Sequence, residues 1–283
     1  MIELAQRNKA DILLSLHTNG RLLILPNIWD PIGARILEAK GYPAIATASA
    51  AVSASLGYED GEKIKLSTLI QIISRIAHSV DTPVTADIES GYAQTISQLE
   101  ETILQVTDSG VVGINIEDSL QEGGALRSID KQCERIEKIR DVSAHLGLHL
   151  VINARVDSFV SDIYTTKKSK MEEAILRAKA YSDAGADCIY PMGPGDTDTL
   201  KELRDRINAP INILATSNAT PLSVLQEIGI NRVSFIFRSC LKKFENIVDA
   251  LHNFKGYECF GENMMSRIEV NNYLIHYPEE KNA

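Results

Sequence analysis

The chain has 283 residues, a formal net charge of −9, 44% hydrophobic residues and 24% charged residues. That is the make-up of a globular protein with a large core, and its acidity excludes nucleic acid as the expected partner, because phosphate binding needs a basic face. The opening stretch lacks the long apolar core of a signal peptide, and no run of about 18 apolar residues offers a membrane span, so a cytoplasmic location away from membranes is expected. Cys133, Cys188, Cys240 and Cys259 are scattered without a C-x-x-C pair, which argues against a zinc site or a disulfide framework and fits a reducing compartment.

Residues Met1–His17 read as a helix that caps one end of the molecule. Apolar β-type runs then alternate with amphipathic segments. Leu22–Asn27 is followed by Pro31–Lys40, Ala44–Ser49 by Leu66–Ser79, Val84–Ile88 by Thr95–Ser109, and Gly113–Asp118 by Asp130–Leu146. Leu150–Asp157 is followed by Met171–Ala184, Cys188–Gly193 by Asp196–Ile207, Asn212–Thr216 by Pro221–Ile228, and Arg232–Phe237 by Ser239–Phe254. The repeat is roughly 30 residues, the size of a βα unit. Continuous apolar runs are what strands buried on both faces look like. A doubly wound open sheet is the alternative, but this many regular units favour a closed (β/α)₈ TIM barrel over residues 1–255. Residues 256–283 form a polar tail with apolar positions at Tyr257, Phe260, Met264, Met265, Ile268 and Leu274, which lies on a partner subunit or on its own barrel.

Barrel enzymes carry their reacting groups at the C-terminal ends of strands. Here the third run ends in Asp87-Ile88-Glu89, the fourth in Glu117-Asp118 and the fifth in Asn153-Ala154-Arg155-Val156-Asp157. Asp87 and Glu89 are two apart and share one side of their strand. Converging carboxylates repel unless a cation joins them, and oxygen donors without a nearby His or Cys select Mg²⁺ or Mn²⁺. Asp87, Glu89 and Glu117 are therefore the metal candidates, whereas Asp118 and Asp157 could equally cap helices or pair with Lys and Arg. Arg155 offers a fork to a substrate carboxylate, or a salt bridge to Asp157 or Glu117. The small side chains of Ser49-Ala50-Ala51 either let backbone N–H groups approach an anion or pack the second strand tightly. Trp29 and Asn153 join Ser49, Ala50 and Arg155 as candidate substrate contacts.

With Leu25–Asp30, Ser55–Glu62 and Ala86–Tyr92 added, these motifs stand in a familiar order, and the chain resembles the isocitrate lyase/phosphoenolpyruvate mutase superfamily over roughly residues 5 to 255. The resemblance implies a barrel of the phosphoenolpyruvate/pyruvate type, often with its eighth helix exchanged between subunits, and hence a homo-oligomer, dimer or tetramer. It implies Mg²⁺ held by Asp87, Glu89 and Glu117, with Asp60 matching an acid near a metal-bound water. Arg155 matches the arginine that holds a substrate carboxylate, and Ser49-Ala50 the backbone that binds its oxyanion or carboxylate. Substrates would be small 2-oxo or 2-hydroxy carboxylates that react through an enolpyruvate-type intermediate.

Two departures matter. The lyase branch has a Lys-Lys-Cys-Gly-His loop after the fourth strand, and the mutase branch a longer gating loop with Lys and Asn; here Ser119–Leu126 has no Cys, His or Lys. The usual second Asp of the third strand is Glu89. Acid/base work therefore falls to Glu122, to Tyr58 or to a metal-bound water, and Cys133 reads as a helix packing residue. The expectation is a Mg²⁺-dependent carbon–carbon lyase. Phosphoenolpyruvate mutase or phosphonopyruvate hydrolase chemistry, and a carboxylate-binding barrel without turnover, are the competing readings.

Overall fold

The computed structural model describes residues 2–120, 125–216, 219–235, 243, 246 and 265–274. Its strands are β1 (Leu23–Ile28), β2 (Ile45–Thr47), β3 (Val84–Asp87), β4 (Gly113–Glu117), β5 (Val151–Val156), β6 (Cys188–Pro191), β7 (Asn212–Ala215) and β8 (Arg232–Phe235). They form one 8-stranded sheet, and every registered pairing in it is parallel. β8 returns to pair with β1, and the remaining seam, β6 to β7, is joined by the parallel bridge Ile189–Ile211 and by Ile189 N–H donating to Pro210 O at 2.8 Å. Chain-order pairing round a ring is a barrel and rules out the doubly wound sheet.

The helices that follow the strands are α2 (Pro31–Ala39), α4 (Leu66–Ala77), α5 (Ile96–Asp108), α6 (Ile129–His145), α7 (Lys167–Asp183), α8 (Thr197–Arg206) and α9 (Leu222–Ile228). Their starts are set locally. Asp30 caps α2, Thr95 and Thr166 close capping boxes on α5 and α7, and Asp196 caps α8. The expected eighth barrel helix, Ser239–Phe254, lies outside the described residues apart from Lys243 and Asn246. So do the tail positions Tyr257, Phe260 and Met264. Residues Arg267–Asn272 form a short helix, α10, with Met265, Ile268 and Leu274 exposed around it.

One element went unforeseen. Ser49–Ser55 is a helix, α3, directly after β2. Its residues Ser-Ala-Ala-Val-Ser-Ala-Ser are small and lack the apolar period by which a helix is recognised, so the segment read only as a strand end.

The N-terminal helix α1 (Leu4–Thr18) closes the end of the barrel away from the strand C-termini. Gly113 opens β4 without a side chain because Leu13 Cδ2 would lie 2.7 Å from a Cβ there. His17, 1% exposed, donates Nδ1–H to Leu13 O at 2.8 Å, which leaves Nε2 unprotonated and without a partner. Burial, and then the Arg232 charge, push its pKa down to about 4. An unfolded chain protonates this histidine at its ordinary value, so the unfolded state binds more protons between about pH 6.5 and 4, and stability falls as pH falls through that window. The full effect is about 3 kcal/mol. Urea unfolding at pH 7 and pH 5 should show a smaller pH-dependent loss in His17→Gln than in the parent; equal losses would clear His17 of this role.

Candidate active site

The C-terminal strand ends gather the acids that the sequence singled out. Asp87 ends β3, Glu117 ends β4 and Arg155 lies opposite Glu117 in β5. Asp87 Oδ2 accepts from Ser49 N–H at 3.2 Å and from Ser49 Oγ at 2.9 Å, and Asp87 Oδ1 accepts from Glu89 N–H at 3.3 Å. The start of α3 thus faces Asp87, and the anion its first amide meets is a carboxylate of the protein itself.

Glu89 is 3% exposed. Its carboxylate accepts from Tyr92 Oη at 2.9 Å and from the backbone N–H of Glu62. Glu62 in turn accepts from Ser90 Oγ and Tyr92 N–H, both at 2.7 Å. Glu62, Glu89 and Tyr92 all have left-handed backbones, with φ of 56°, 52° and 51°. Non-glycine residues with such φ are uncommon, and a set of them around one carboxylate marks strain stored at a site. Sequence reasoning overlooked Glu62 and Tyr92, because neither residue type announces a left-handed turn.

Glu117 Oε2 lies 2.7 Å from Arg155 Nη1, and Ser119 Oγ donates to Glu117 Oε1 at 2.5 Å. Arg155 also grips Asp157 in a fork, Nε to Oδ1 at 2.7 Å and Nη2 to Oδ2 at 2.9 Å. Both salt bridges that the sequence allowed for Arg155 are therefore made. A guanidinium has five N–H donors, so these three contacts leave two. Asp118 is wholly buried and structural: it accepts from Arg177 Nη1, Tyr181 Oη and Asp157 N–H at 2.8 to 3.0 Å.

The electrostatics follow from crowding. Burial, then Asp60 and Asp87, push Glu89 up to about 7, against the hydrogen bonds from Tyr92 and Glu62. Asp60, though exposed as a residue, has its carboxyl raised by desolvation and then by Asp87. Glu117 also stands above the usual carboxylate range, because burial and the nearby Asp157 and Asp87 outweigh Arg155.

A donor set made only of oxygen, in which burial and neighbouring carboxylates raise Asp60, Glu89 and Glu117, fits a hard divalent cation, whose charge would remove the repulsion. Among the described residues no three acidic, cysteine or histidine side chains converge into a ready-made cage. Mg²⁺ does not need one, since it keeps several waters and takes one or two protein carboxylates.

The other candidates spread out. Tyr58 is 54% exposed on the link after α3, and Trp29 is half-buried at the end of β1. Asn153 lies one layer below the mouth. It pairs in register with Asn115, to whose Oδ1 it donates at 2.7 Å, and it is fully buried. Cys133 is half-buried on α6 and packs against the core. Glu122 lies outside the described residues.

A family model described as phosphoenolpyruvate phosphomutase matches residues 13–253. The chain belongs to this family. Relatives carry several activities in their names. An oxaloacetate decarboxylase of Pseudomonas entomophila (strain L48) is 30% identical over 209 residues, 72% of this chain and 69% of that protein. A 2-methylisocitrate lyase of Aeropyrum pernix is 28% identical over 251 residues, 84% of this chain and 78% of that one. Among solved structures, a candidate lyase or mutase from Burkholderia cenocepacia J2315 superposes with a TM-score of 0.87 at 27% identity, covering 96% of this chain and 97% of that chain. The phosphoenolpyruvate phosphomutase family thus confirms the superfamily resemblance and the barrel, while its named members differ in the bond they act on.

Proposed function

We propose that the protein is a carbon–carbon lyase acting on a small 2-oxo or 2-hydroxy carboxylate at the barrel mouth, with Mg²⁺ or Mn²⁺ as cofactor. The observation that carries this reading is that Asp60, Asp87, Glu89 and Glu117 lie near enough to act on one another's charge, with Glu117 paired to an arginine that has donors to spare. Asp87, Glu89 and Glu117 would hold the cation, and when bound it would act as a Lewis acid toward the substrate carbonyl. The chain's own residues supply the rest. Arg155 turns its two remaining N–H groups to the substrate carboxylate, and its grip on Asp157 keeps the guanidinium in place. Trp29, Ser49 and Ala50 form the wall beside the carboxylate. Asn153 holds Asn115 in the layer beneath and so supports that floor. Tyr58, exposed on the link after α3, and Glu122, in the sequence that follows β4, are the groups offered for proton transfer.

The test is turnover. With Mg²⁺ present, the purified protein is expected to release a 2-oxo acid from at least one of oxaloacetate, 2-methylisocitrate, 2,3-dimethylmalate and malate analogues. No turnover anywhere in that panel, with tight oxalate binding by calorimetry, would favour a carboxylate-binding barrel instead.

P–C bond chemistry is favoured by the family description. Arg127, the first cation after β4, lines a pocket with Lys131 and Arg135 that none of Asp87, Glu89 or Glu117 lines. The mouth therefore lacks the cation that a phosphoryl group would need from this loop, and ³¹P NMR with phosphonopyruvate should show no product.

A homo-oligomer belongs to the same reading, supported by the exposed apolar side chains Met265, Ile268 and Leu274 beside α10. Among the described residues no helix is long and apolar enough to cross a membrane. A cytoplasmic location is part of the proposal.

A further inference from the structure

Outside the barrel mouth, a solvent-open pocket of about 250 Å³ lies between the start of α5 and the first turns of α6. Arg127, Lys131 and Arg135 line it, against the single carboxylate of Glu134. That carboxylate is committed to Lys131, at 3.1 Å. In a chain of net charge −9, a pocket lined by two guanidiniums and a lysine against one carboxylate is a local exception, although the Glu62 charge also reaches Arg135.

Arg135 is 3% exposed. Its Nη1 donates to Ala93 O at 3.2 Å and its Nη2 to Ser90 O, yet its Nε has no partner. The Nε of Arg127 is likewise buried and unpartnered. Burial, then the Arg127 charge, lower the Arg135 pKa to about 10, so Arg135 feels its neighbour's charge yet stays protonated near neutrality. An unpaired buried donor costs free energy, and one on a charged group costs more. Thr95 and Ile96, also in the lining, begin α5. The capping box there occupies the amides of Thr95 and Gln98, whereas those of Ile96 and Ser97 have no intrahelical partner. Helix-end amides and guanidiniums converging from different sides match a tetrahedral oxyanion better than a planar carboxylate. A water takes up about 30 Å³, so the pocket has room for such an ion with part of its hydration shell.

We propose that this pocket binds a phosphate group, free or carried on a small monoester, between Arg127, Lys131, Arg135 and the N-terminus of α5. The site has a mechanical consequence. Arg127 N–H donates to Asp118 O at 2.7 Å and follows the antiparallel bridge Ser119–Leu126, so it is tied to the end of β4 beside that bridge. Arg135 holds the carbonyls of Ser90 and Ala93, on the turn that carries Glu89 and Tyr92. A bound phosphate would tie both to α5 and stiffen the Ser119–Leu126 bridge and the turn together. The proposal does not depend on which bond the mouth breaks.

The test uses the full chain at constant ionic strength. Inorganic phosphate and glycerol 2-phosphate are titrated separately by calorimetry, and a crystal soaked in tungstate is measured for anomalous scattering. Saturable heat is expected with at least one ligand, together with a tungsten peak next to Arg135 Nε. The tighter ligand tells a free ion from a phosphorylated metabolite. Arg127→Gln with Lys131→Gln should raise the half-saturating concentration by about tenfold or more, the loss of at least one charge-assisted contact. Lys131→Glu, at a side chain 71% exposed, gives an independent variant should the double one fold poorly. Unchanged binding in these variants, or tungsten only at the barrel mouth, overturns the proposal.

Discussion

Arg155→Lys is expected to keep the fold and to lower kcat/KM by about a hundred- to a thousandfold on whichever substrate the parent cleaves, chiefly through KM. Lysine retains the charge but has no rigid fork. It cannot keep Asp157 on two donors, reach Glu117 on a third and still present two N–H groups to a carboxylate. Arg155→Met should be worse in a second way. Asp157 is 3% exposed and Glu117 is largely buried, so removing the cation leaves two uncompensated carboxylates, a loss of several kcal/mol in stability as well as activity. The pair of variants separates two roles. If Arg155→Lys loses melting temperature but leaves both KM and kcat at parental values, Arg155 is a structural ion-pair partner and not the substrate's clamp.

That both roles coexist could not be read from the chain. The spacing Arg155-Val156-Asp157 permitted an intrastrand pair and β5 beside β4 permitted one to Glu117, but only the assembled register places Arg155 between them. Much of the rest was legible. Gly-closed helices and apolar runs recur so regularly that each strand lies within about two residues of its expected place, close to the uncertainty of any boundary assignment. Strand-end acids stood out because an uncompensated charge after an apolar run is costly.

What escaped was of two kinds. Side-chain partners that arrive from far along the chain left no local trace. Glu62 N–H reaches the Glu89 carboxylate across 27 positions, and both residues have left-handed backbones. Depth within the barrel was also hidden. Asn153 counts as a strand-end residue, yet alternation along β5 puts it a layer below Arg155, in a polar floor with Asn115, Asn212 and Arg232. The buried polar positions of that floor are spread over four strands, and no single stretch of sequence shows them as a group.

The largest stability effect should lie just outside the mouth. Arg177→Met is expected to destabilise the protein by about 3–5 kcal/mol, the cost of leaving one member of a buried ion pair alone. The Asp118 side chain is 0% exposed and that of its partner Arg177 on α7 is 5% exposed, so water cannot take over the missing contact. Tyr181 Oη and Asp157 N–H would remain on the carboxylate, but neither carries charge. At about 2–4 °C per kcal/mol for chains near this size, the melting temperature should drop by roughly 6–20 °C. Asp118→Asn in the same background removes the stranded charge and should recover part of the loss, whereas Asp118→Asn alone should cost less than Arg177→Met. The change would also reach the chemistry. Asp118 Oδ1 holds the amide of Asp157, and Asp157 holds Arg155, so a displaced Asp118 loosens the guanidinium from below. A melting temperature within a degree of the parent, or no recovery in the double variant, would mean that this pair is not what ties α7 to the ends of β4 and β5.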